Sequence, residues 1–185
     1  MALLKKIRIL GSMIKVLRKL LVLVSCQKGY DKFALAIRKR ESSNCYSSIN
    51  TYKYLGAYQF GMARLCDLGY TIRIGGGYGN SAFKWKTGYS RKYFLNNPEL
   101  QDEIFKKHCK DLINRINDNY LQYIGTNVHG IDITLSGLVA GAHLGGIGGV
   151  GSFLIYSVDS HDQLTTRVSD YIKEFKGYDL TNIWT

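Results

Sequence analysis

A single proline in 185 residues, Pro98, is the strongest constraint on the fold of this chain. Asn97, Pro98 and Glu99 supply a cap, a preset φ and an acid in the first turn, which together predict a helix start. The helix is predicted to run to about Tyr120. Its inward face carries apolar residues at helical spacing: Leu100, Ile104, Leu112 and Ile116. Because prolines are otherwise missing, long helices are favoured over a turn-dense sandwich, and the fold is predicted to be mainly α (α+β).

The charge of the chain is uneven along its length. The first 28 residues hold seven of the 25 Lys and Arg and none of the 14 acids, which leaves eighteen basic and fourteen acidic residues in the rest. A mildly basic body suits an anionic polymer. Its basic residues are scattered and match no nucleic-acid motif, so no nucleic-acid partner is predicted.

Residues 1–28 are predicted to form a segment distinct from the domain at 29–185. Its apolar residues recur at helical spacing between basic ones, which fits an amphipathic helix on a membrane surface or a partner. Alternatively the true start is Met13, and residues 14–26 are a short export signal. Leu23 to Cys26 then resembles a lipoprotein processing box, with Cys26 as the lipidated residue. A third possibility is a first helix that packs on the domain.

The most informative stretch for chemistry begins at Glu41, a single acid that closes a basic, helix-like run at 36–44. A polar, tyrosine-rich segment at 44–58 follows and predicts an irregular or hairpin wall. A lone carboxyl group that faces a groove suits acid catalysis on a sugar chain, provided that a partly dry setting keeps it protonated. The end of the helix would raise its pKa, and nearby Arg38 would oppose this. By spacing alone, Glu41 could equally be an exposed residue on a charged helix.

A second informative stretch is small and rich in glycine. It predicts helices at 135–144 and 150–158, joined by a turn at Gly145-Gly146, and Thr166 is predicted to cap a last helix that contains Tyr171. The glycines either let a sugar approach the backbone or pack helices closely. His143 either binds a ligand or is a packed, satisfied histidine.

Four segments occur in an order that resembles the lysozyme-like superfamily. They are residues 41–43 (ESS), 54–61 (YLGAYQFG), 138–146 (LVAGAHLGG) and Tyr171. The pattern is closest to the lytic transglycosylase and goose-type lysozyme branch, which shows Glu-Ser at a helix end, Gly-x-x-Gln, Ala-Tyr-Asn-Ala-Gly and a late tyrosine. The resemblance covers residues 30–178 and implies a two-lobed domain with a small β or loop wall and a central glycan cleft.

The resemblance also implies roles for individual residues. Glu41 would be the general acid and then the base. Tyr58, Gln59 and Gly145 would lie along the glycan cleft, and Tyr171 would orient the Glu41 carboxyl group. His143 departs from the pattern, because that branch has asparagine there.

The implied function is cleavage of the MurNAc–GlcNAc bond of peptidoglycan, by a lytic transglycosylase or a muramidase. The choice depends on a second carboxylate, for which Asp67 and Asp132 are the sequence candidates. No cofactor or metal is expected. The partner would be the murein glycan strand, reached by export to the periplasm, by membrane anchoring, or by a phage or secretion apparatus. The alternative is a non-catalytic glycan-binding or structural module of the same fold.

Overall fold

The computed structural model describes residues 29–77 and 79–184, so the segment 1–28 and Cys26 lie outside the described residues. Of these residues 56% are helical and 10% lie in strands, which confirms a mainly α fold with a small β component. The helices are α1 (29–42), α2 (Met62–Asp67), α3 (Arg91–Leu95), α4 (Pro98–Tyr120), α5 (Leu135–Tyr156) and α6 (Val168–Glu174). Two antiparallel strand pairs accompany them: β1 (Thr71–Arg73) with β2 (Phe83–Trp85), and β3 (Asn127–Val128) with β4 (Ile131–Asp132).

Helix α4 begins and ends where the sequence predicts. Asn97 Oδ1 accepts a hydrogen bond from the backbone N–H of Leu100 at 3.0 Å, and Pro98 occupies the first turn. Of the predicted inward residues, Ile104, Leu112 and Ile116 are buried, whereas Leu100 is half-buried. The same face also buries two polar residues, Gln101 and His108, and both of these contribute to the site described below.

Helix α5 consists of two helical segments that meet at Gly146, where φ of 70° and ψ of 173° are not helical, as the predicted turn at Gly145-Gly146 requires. The second segment follows this residue directly and ends at Tyr156, rather than running from 150 to 158. The side chain of Thr134 caps its start, by accepting a hydrogen bond from the backbone N–H of Gly137 at 3.2 Å. By length and composition alone this helix could cross a membrane, but just over half of its most apolar window is buried inside the domain, as in a core helix.

Helix α6 packs on α5 through small residues. Its first residue is Val168, and its cap is Arg167, one residue after the predicted cap Thr166. A Cβ atom built on Gly137 would lie 2.6 Å from the backbone oxygen of Ile172, and one built on Gly145 would collide with the Val168 side chain. The glycines of α5 therefore set how closely α6, which carries Tyr171, approaches the core.

Substitution of Gly137 tests this close approach. We expect Gly137→Ala to lower the free energy of unfolding by about 1–3 kcal/mol, because the obstacle is a backbone carbonyl that cannot rotate away. Gly148→Ala is the matched control, since a Cβ there meets no atom within 4 Å. It should raise stability by roughly 0.5–1 kcal/mol through helix propensity. Urea unfolding measures both, and equal effects of the two variants would contradict the packing argument.

Candidate active site

Glu41 lies in the last turn of α1, and Ser42 holds that turn in place. The Ser42 hydroxyl donates to the backbone carbonyl of Ala57 at 2.9 Å and also lies 3.2 Å from the carbonyl of Arg38. Its oxygen accepts from the backbone N–H of Cys45 at 3.0 Å. One side chain therefore ties the end of α1 to the segment at 44–61, which we call the wall segment.

The wall segment is irregular, with isolated bridges between Ile49 and Leu55 and between Leu55 and Phe60. Buried Gln101 of α4 replaces the missing strand hydrogen bonds. Its Oε1 accepts from the backbone N–H of Ala57 at 2.8 Å, and its Nε2 donates to the backbone carbonyl of Tyr46 at 3.0 Å. The wall therefore has a fixed position relative to Glu41 despite its lack of regular structure.

Two side chains from distant elements meet the Glu41 carboxyl group. The hydroxyl of Tyr171, on α6, donates to Glu41 Oε1 at 2.6 Å. The ring of His143, on α5, places Nε2 at 3.7 Å from the same oxygen. The side chains of His143 and Glu41 are only 7% and 15% exposed, so the contact is sheltered from water.

The contact between His143 and Glu41 is not an ion pair at neutral pH. Burial lowers the pKa of His143 to about 4; a hydrogen bond with the Tyr58 backbone raises it, and the charge of Arg64 lowers it further. The imidazole is therefore neutral near pH 7, and at 3.7 Å it acts on Glu41 as a dipole.

The Glu41 carboxyl group has a strongly raised pKa. Burial raises it from 4.5 to about 7, against the opposing effects of the Tyr171 hydrogen bond and of Arg40, while the charges of Asp162 and Glu174 raise it further. Arg38, which the sequence suggested as the opposing cation, instead pairs with Asp102 at 2.7 Å. Glu41 is therefore close to half-protonated at neutral pH and can both donate and accept a proton.

Glu41 opens onto a cavity of about 600 Å³ that is also lined by Gln59 and His143. Tyr52 and Tyr54, which are 44% and 38% exposed, supply an aromatic side. The loop at 157–167, between α5 and α6, forms the facing side. A cavity of this size lies within the range of small-ligand sites, about 300–1,000 Å³.

Gln59 is held in a way that directs its side chain to the cavity. Its backbone has a φ of 51°, which is uncommon for a residue other than glycine. Its Nε2 donates to the carbonyl of Gly56 at 2.7 Å. Its Oε1 is buried without a hydrogen-bond partner among the described residues. This oxygen lies beneath the cavity surface, so Gln59 meets the cavity through its other atoms.

Two predicted cleft residues have other roles. Tyr58 lies away from the cavity: it is 1% exposed, stacks on Phe105 with ring centroids 3.9 Å apart, and donates its hydroxyl hydrogen to Asp102 at 2.6 Å. Gly145 faces Val168 and is absent from the cavity lining, so its small size serves helix packing. Within the wall segment, Tyr52 and Tyr54 line the cavity in place of Tyr58.

The two sequence candidates for a second carboxylate lie outside the cavity. Asp67 is exposed and pairs with Arg64 at 3.6 Å, and exposed Asp132 pairs with Lys176 at 3.3 Å. Asp162, in the loop at 157–167, lines the cavity instead. Its Oδ1 accepts from the backbone N–H groups of Leu164 and Thr166 at 2.9 and 2.8 Å, which fixes the loop. No sequence motif singled out this residue.

Within the described ranges, no group of three or more His, Cys, Asp or Glu side chains is placed to hold a metal ion. Comparisons of the chain with protein-family models, with curated proteins and with solved structures found no match. The chemistry of the site therefore has to be inferred from its own residues.

The raised pKa of Glu41 predicts a dependence of stability on pH. The folded state holds the Glu41 proton more tightly than the unfolded state, so stability falls as the pH rises from 4.5 through 7. Glu41→Gln cannot ionise and avoids this loss. From the shift from 4.5 to about 7, we expect the variant to gain roughly 3 kcal/mol over the wild type between pH 4 and pH 8.

Urea unfolding at the two pH values measures this difference. Glu103→Gln, at an exposed position of α4, is the control and should follow the pH dependence of the wild type. A difference between Glu41→Gln and wild type that stays constant from pH 4 to pH 8 would contradict a raised pKa.

Proposed function

We propose that this chain is a murein-cleaving enzyme of the lysozyme-like superfamily, in the lytic transglycosylase and goose-type lysozyme branch, with Glu41 as its general acid and base. The observation that carries the proposal is the Glu41 carboxyl group, which is buried at the edge of a cavity, has a pKa raised to about 7, and accepts a hydrogen bond from Tyr171. A carboxylic acid that stays protonated near neutral pH is what glycosidic cleavage requires of its proton donor.

The two oxygens of the carboxyl group have different surroundings. Tyr171 donates to Oε1, and His143 faces the same oxygen. Because Oε1 is the acceptor, Oε2 is the oxygen that would carry the acidic proton. Tyr171 therefore holds the carboxyl group in one orientation, and this positioning preserves the reaction geometry.

In the proposed reaction, Glu41 Oε2–H transfers its proton to the oxygen that bridges MurNAc and GlcNAc. The bond between this oxygen and the MurNAc anomeric carbon breaks, and positive charge develops on the ring. The Glu41 carboxylate then accepts the proton of the attacking hydroxyl. If the attacker is water, the product is a reducing sugar; if it is a hydroxyl of the same sugar, the product is an anhydro-sugar.

The cavity lining suits a glycan strand. Tyr52 and Tyr54 offer ring faces for sugar stacking. Gln59 and the ring of His143, which line the cavity, are suited to the hydroxyl and N-acetyl groups of the strand. In this proposal the wall segment and the β1–β2 pair form the smaller lobe, the long helices form the larger one, and the cavity between them is the glycan cleft. Residues 1–28 would deliver the domain at 29–185 to the wall.

Glu41→Gln tests the proposal directly. We expect the variant to lose at least about 100-fold in the rate of cleavage of purified murein, because the proton donor is removed while the shape of the site is kept. Co-sedimentation with murein should be retained, and Glu103→Gln should cleave normally. Mass spectrometry of the products separates anhydro ends from reducing ends. Binding without any product from the wild type would indicate a glycan-binding module instead.

Asp162→Asn tests how the facing loop acts on Glu41. The Asp162 charge raises the pKa of Glu41, so its loss should lower that pKa. Because the protonated acid is then lost earlier as the pH rises, the basic limb of the pH–activity profile should move down by less than about 1 unit. Asparagine keeps an oxygen for the N–H groups of Leu164 and Thr166, so the loop should stay folded.

Asp132→Asn is the matched control for Asp162→Asn, because Asp132 is exposed and absent from the cavity lining. Its pH–activity profile should overlay that of the wild type. An unchanged profile for Asp162→Asn would show that the charge of the loop does not act on the acid.

A further inference from the structure

A chain of buried polar side chains leads away from Glu41 on the side opposite the cavity. Its members come from three helices: His143 from α5, His108 from α4 and Arg64 from α2. His143 Nδ1 lies 3.0 Å from His108 Nε2, and Arg64 Nε donates to His108 Nδ1 at 2.8 Å. His108 is only 3% exposed, so water does not compete for these hydrogen bonds.

The donors and acceptors along this chain follow from arginine, which can only donate. Because Arg64 donates to His108 Nδ1, this nitrogen carries no proton, and the proton of a neutral His108 ring lies on Nε2. His108 Nε2–H then donates to His143 Nδ1, which also carries no proton. The remaining proton of His143 is therefore on Nε2, the nitrogen that faces Glu41 Oε1.

We propose that the Arg64–His108–His143 chain is a positioning device that fixes His143 as the neutral Nε2–H tautomer, with Nε2 3.7 Å from the Glu41 carboxyl oxygen. His108 and Arg64 do not touch the cavity and act through His143. They are positioning residues, and nothing in the sequence motifs assigns a role to either.

The same chain opposes protonation of His143. A second proton would have to go to Nδ1, where it would face the N–H of His108. His108 cannot turn its own acceptor to His143, because Arg64 occupies its Nδ1. The charged and titratable groups that act on the His143 ring are Glu41, His108 and Arg64. The rings of Phe60 and Phe105 stand edge-on to it and exclude water.

At its far end, the chain is held by two carboxylates that surround the Arg64 guanidinium group. Arg64 Nη2 donates to Asp111 Oδ2 at 2.6 Å, and a second carboxylate, Asp67, lies 3.6 Å from Nη1. These acids orient the guanidinium group and offset its charge, so that Nε points to His108. Arg64, at the partly exposed end of the chain, therefore determines which nitrogen donates in each hydrogen bond, as far as His143 at the buried end.

The consequence for Glu41 rests on the proposed function, in which this residue must stay protonated. A neutral imidazole leaves the carboxylate without a counter-charge, whereas an imidazolium at the same place would favour ionisation and lower the pKa of Glu41. The chain from Arg64 therefore keeps the side chain beside Glu41 uncharged.

The tautomer can be measured on the full-length protein without any substrate. Long-range ¹H–¹⁵N correlation of ¹⁵N-histidine protein distinguishes protonated from unprotonated ring nitrogens. The sequence has four histidines, and Gln substitutions of exposed His129 and His161 assign two of the signals. We expect His143 and His108 to carry their protons on Nε2 from pH 5.5 to 8. A proton on His143 Nδ1 at any pH in this range would overturn the proposal.

Two substitutions of His108 separate positioning from mere packing. His108→Gln keeps one acceptor for Arg64 and one donor for His143, whereas His108→Phe removes both. We expect His108→Phe to free His143 to take the other tautomer or to ionise, and to lower the pKa of Glu41 by about 1 unit, with His108→Gln close to wild type. Carboxyl ¹³C titration of Glu41 measures this shift, and the basic limb of the murein-cleavage profile should move with it.

The outcomes distinguish this inference from the proposed function. If His108→Phe is folded and leaves both the His143 tautomer and the Glu41 titration unchanged, the chain has no positioning role. If His108→Phe does not fold, the tautomers of the wild type decide the question alone. If the tautomers are as expected and Glu41→Gln still cleaves murein, the proposed function fails while the positioning chain stands.

Discussion

The hydrogen bond between Tyr171 and Glu41 joins residues 130 positions apart, and the geometry of the site depends on it. It requires the end of α1, held by Ser42, to meet the middle of α6. Helix α6 reaches this place because Gly137 of α5 lets the Ile172 carbonyl approach closely. The close packing of α5 and α6 therefore determines whether Tyr171 reaches the Glu41 carboxyl group, although neither Gly137 nor Ile172 lines the cavity.

Burial of Glu41 has opposite effects on stability and on reactivity. Removal of the carboxyl group from water raises its pKa to about 7 and makes it a useful acid, but it also makes the ionised form costly in the folded state. Tyr171 and Arg40 limit this cost, because both favour the carboxylate, whereas a neutral His143 supplies no counter-charge. The pKa of Glu41 is thus a compromise among several neighbours, each contributed by a different part of the chain.

Local chemistry in the sequence predicted the elements that depend on a few adjacent residues. The start of α4 follows from Asn97 and Pro98, and the helical class follows from the apolar spacing. The meeting of Glu41, Gln59, His143 and Tyr171 at one place was expected only through the motif order, because long-range contacts leave no local signal. Alternation along the wall segment would place Tyr58 on the same face as Tyr52 and Tyr54, because even numbers of residues separate the three. Gly56, with φ of 76°, interrupts this alternation, so no local pattern indicated that Tyr58 is buried.

Other parts of the site depend on tertiary contacts that no sequence pattern reveals. Asp162 and His108 lie in stretches with ordinary composition, and only the fold brings them to Glu41, directly or through His143. The break within α5 was expected, because glycine pairs commonly end helices. Gly146 has φ and ψ of 70° and 173°, which are not helical, so two helical segments meet there.

This bend gives Gly146 an influence that its contacts do not show. A Cβ atom there would meet nothing within 4 Å, yet φ of 70° and ψ of 173° belong to a region that is essentially closed to residues with side chains. Any replacement would have to straighten or redirect the second half of the helix, and the loop that follows would be displaced from the cavity. Evolutionary freedom at this position is therefore limited by backbone geometry alone, in a place where an inspection of neighbouring atoms would suggest complete tolerance.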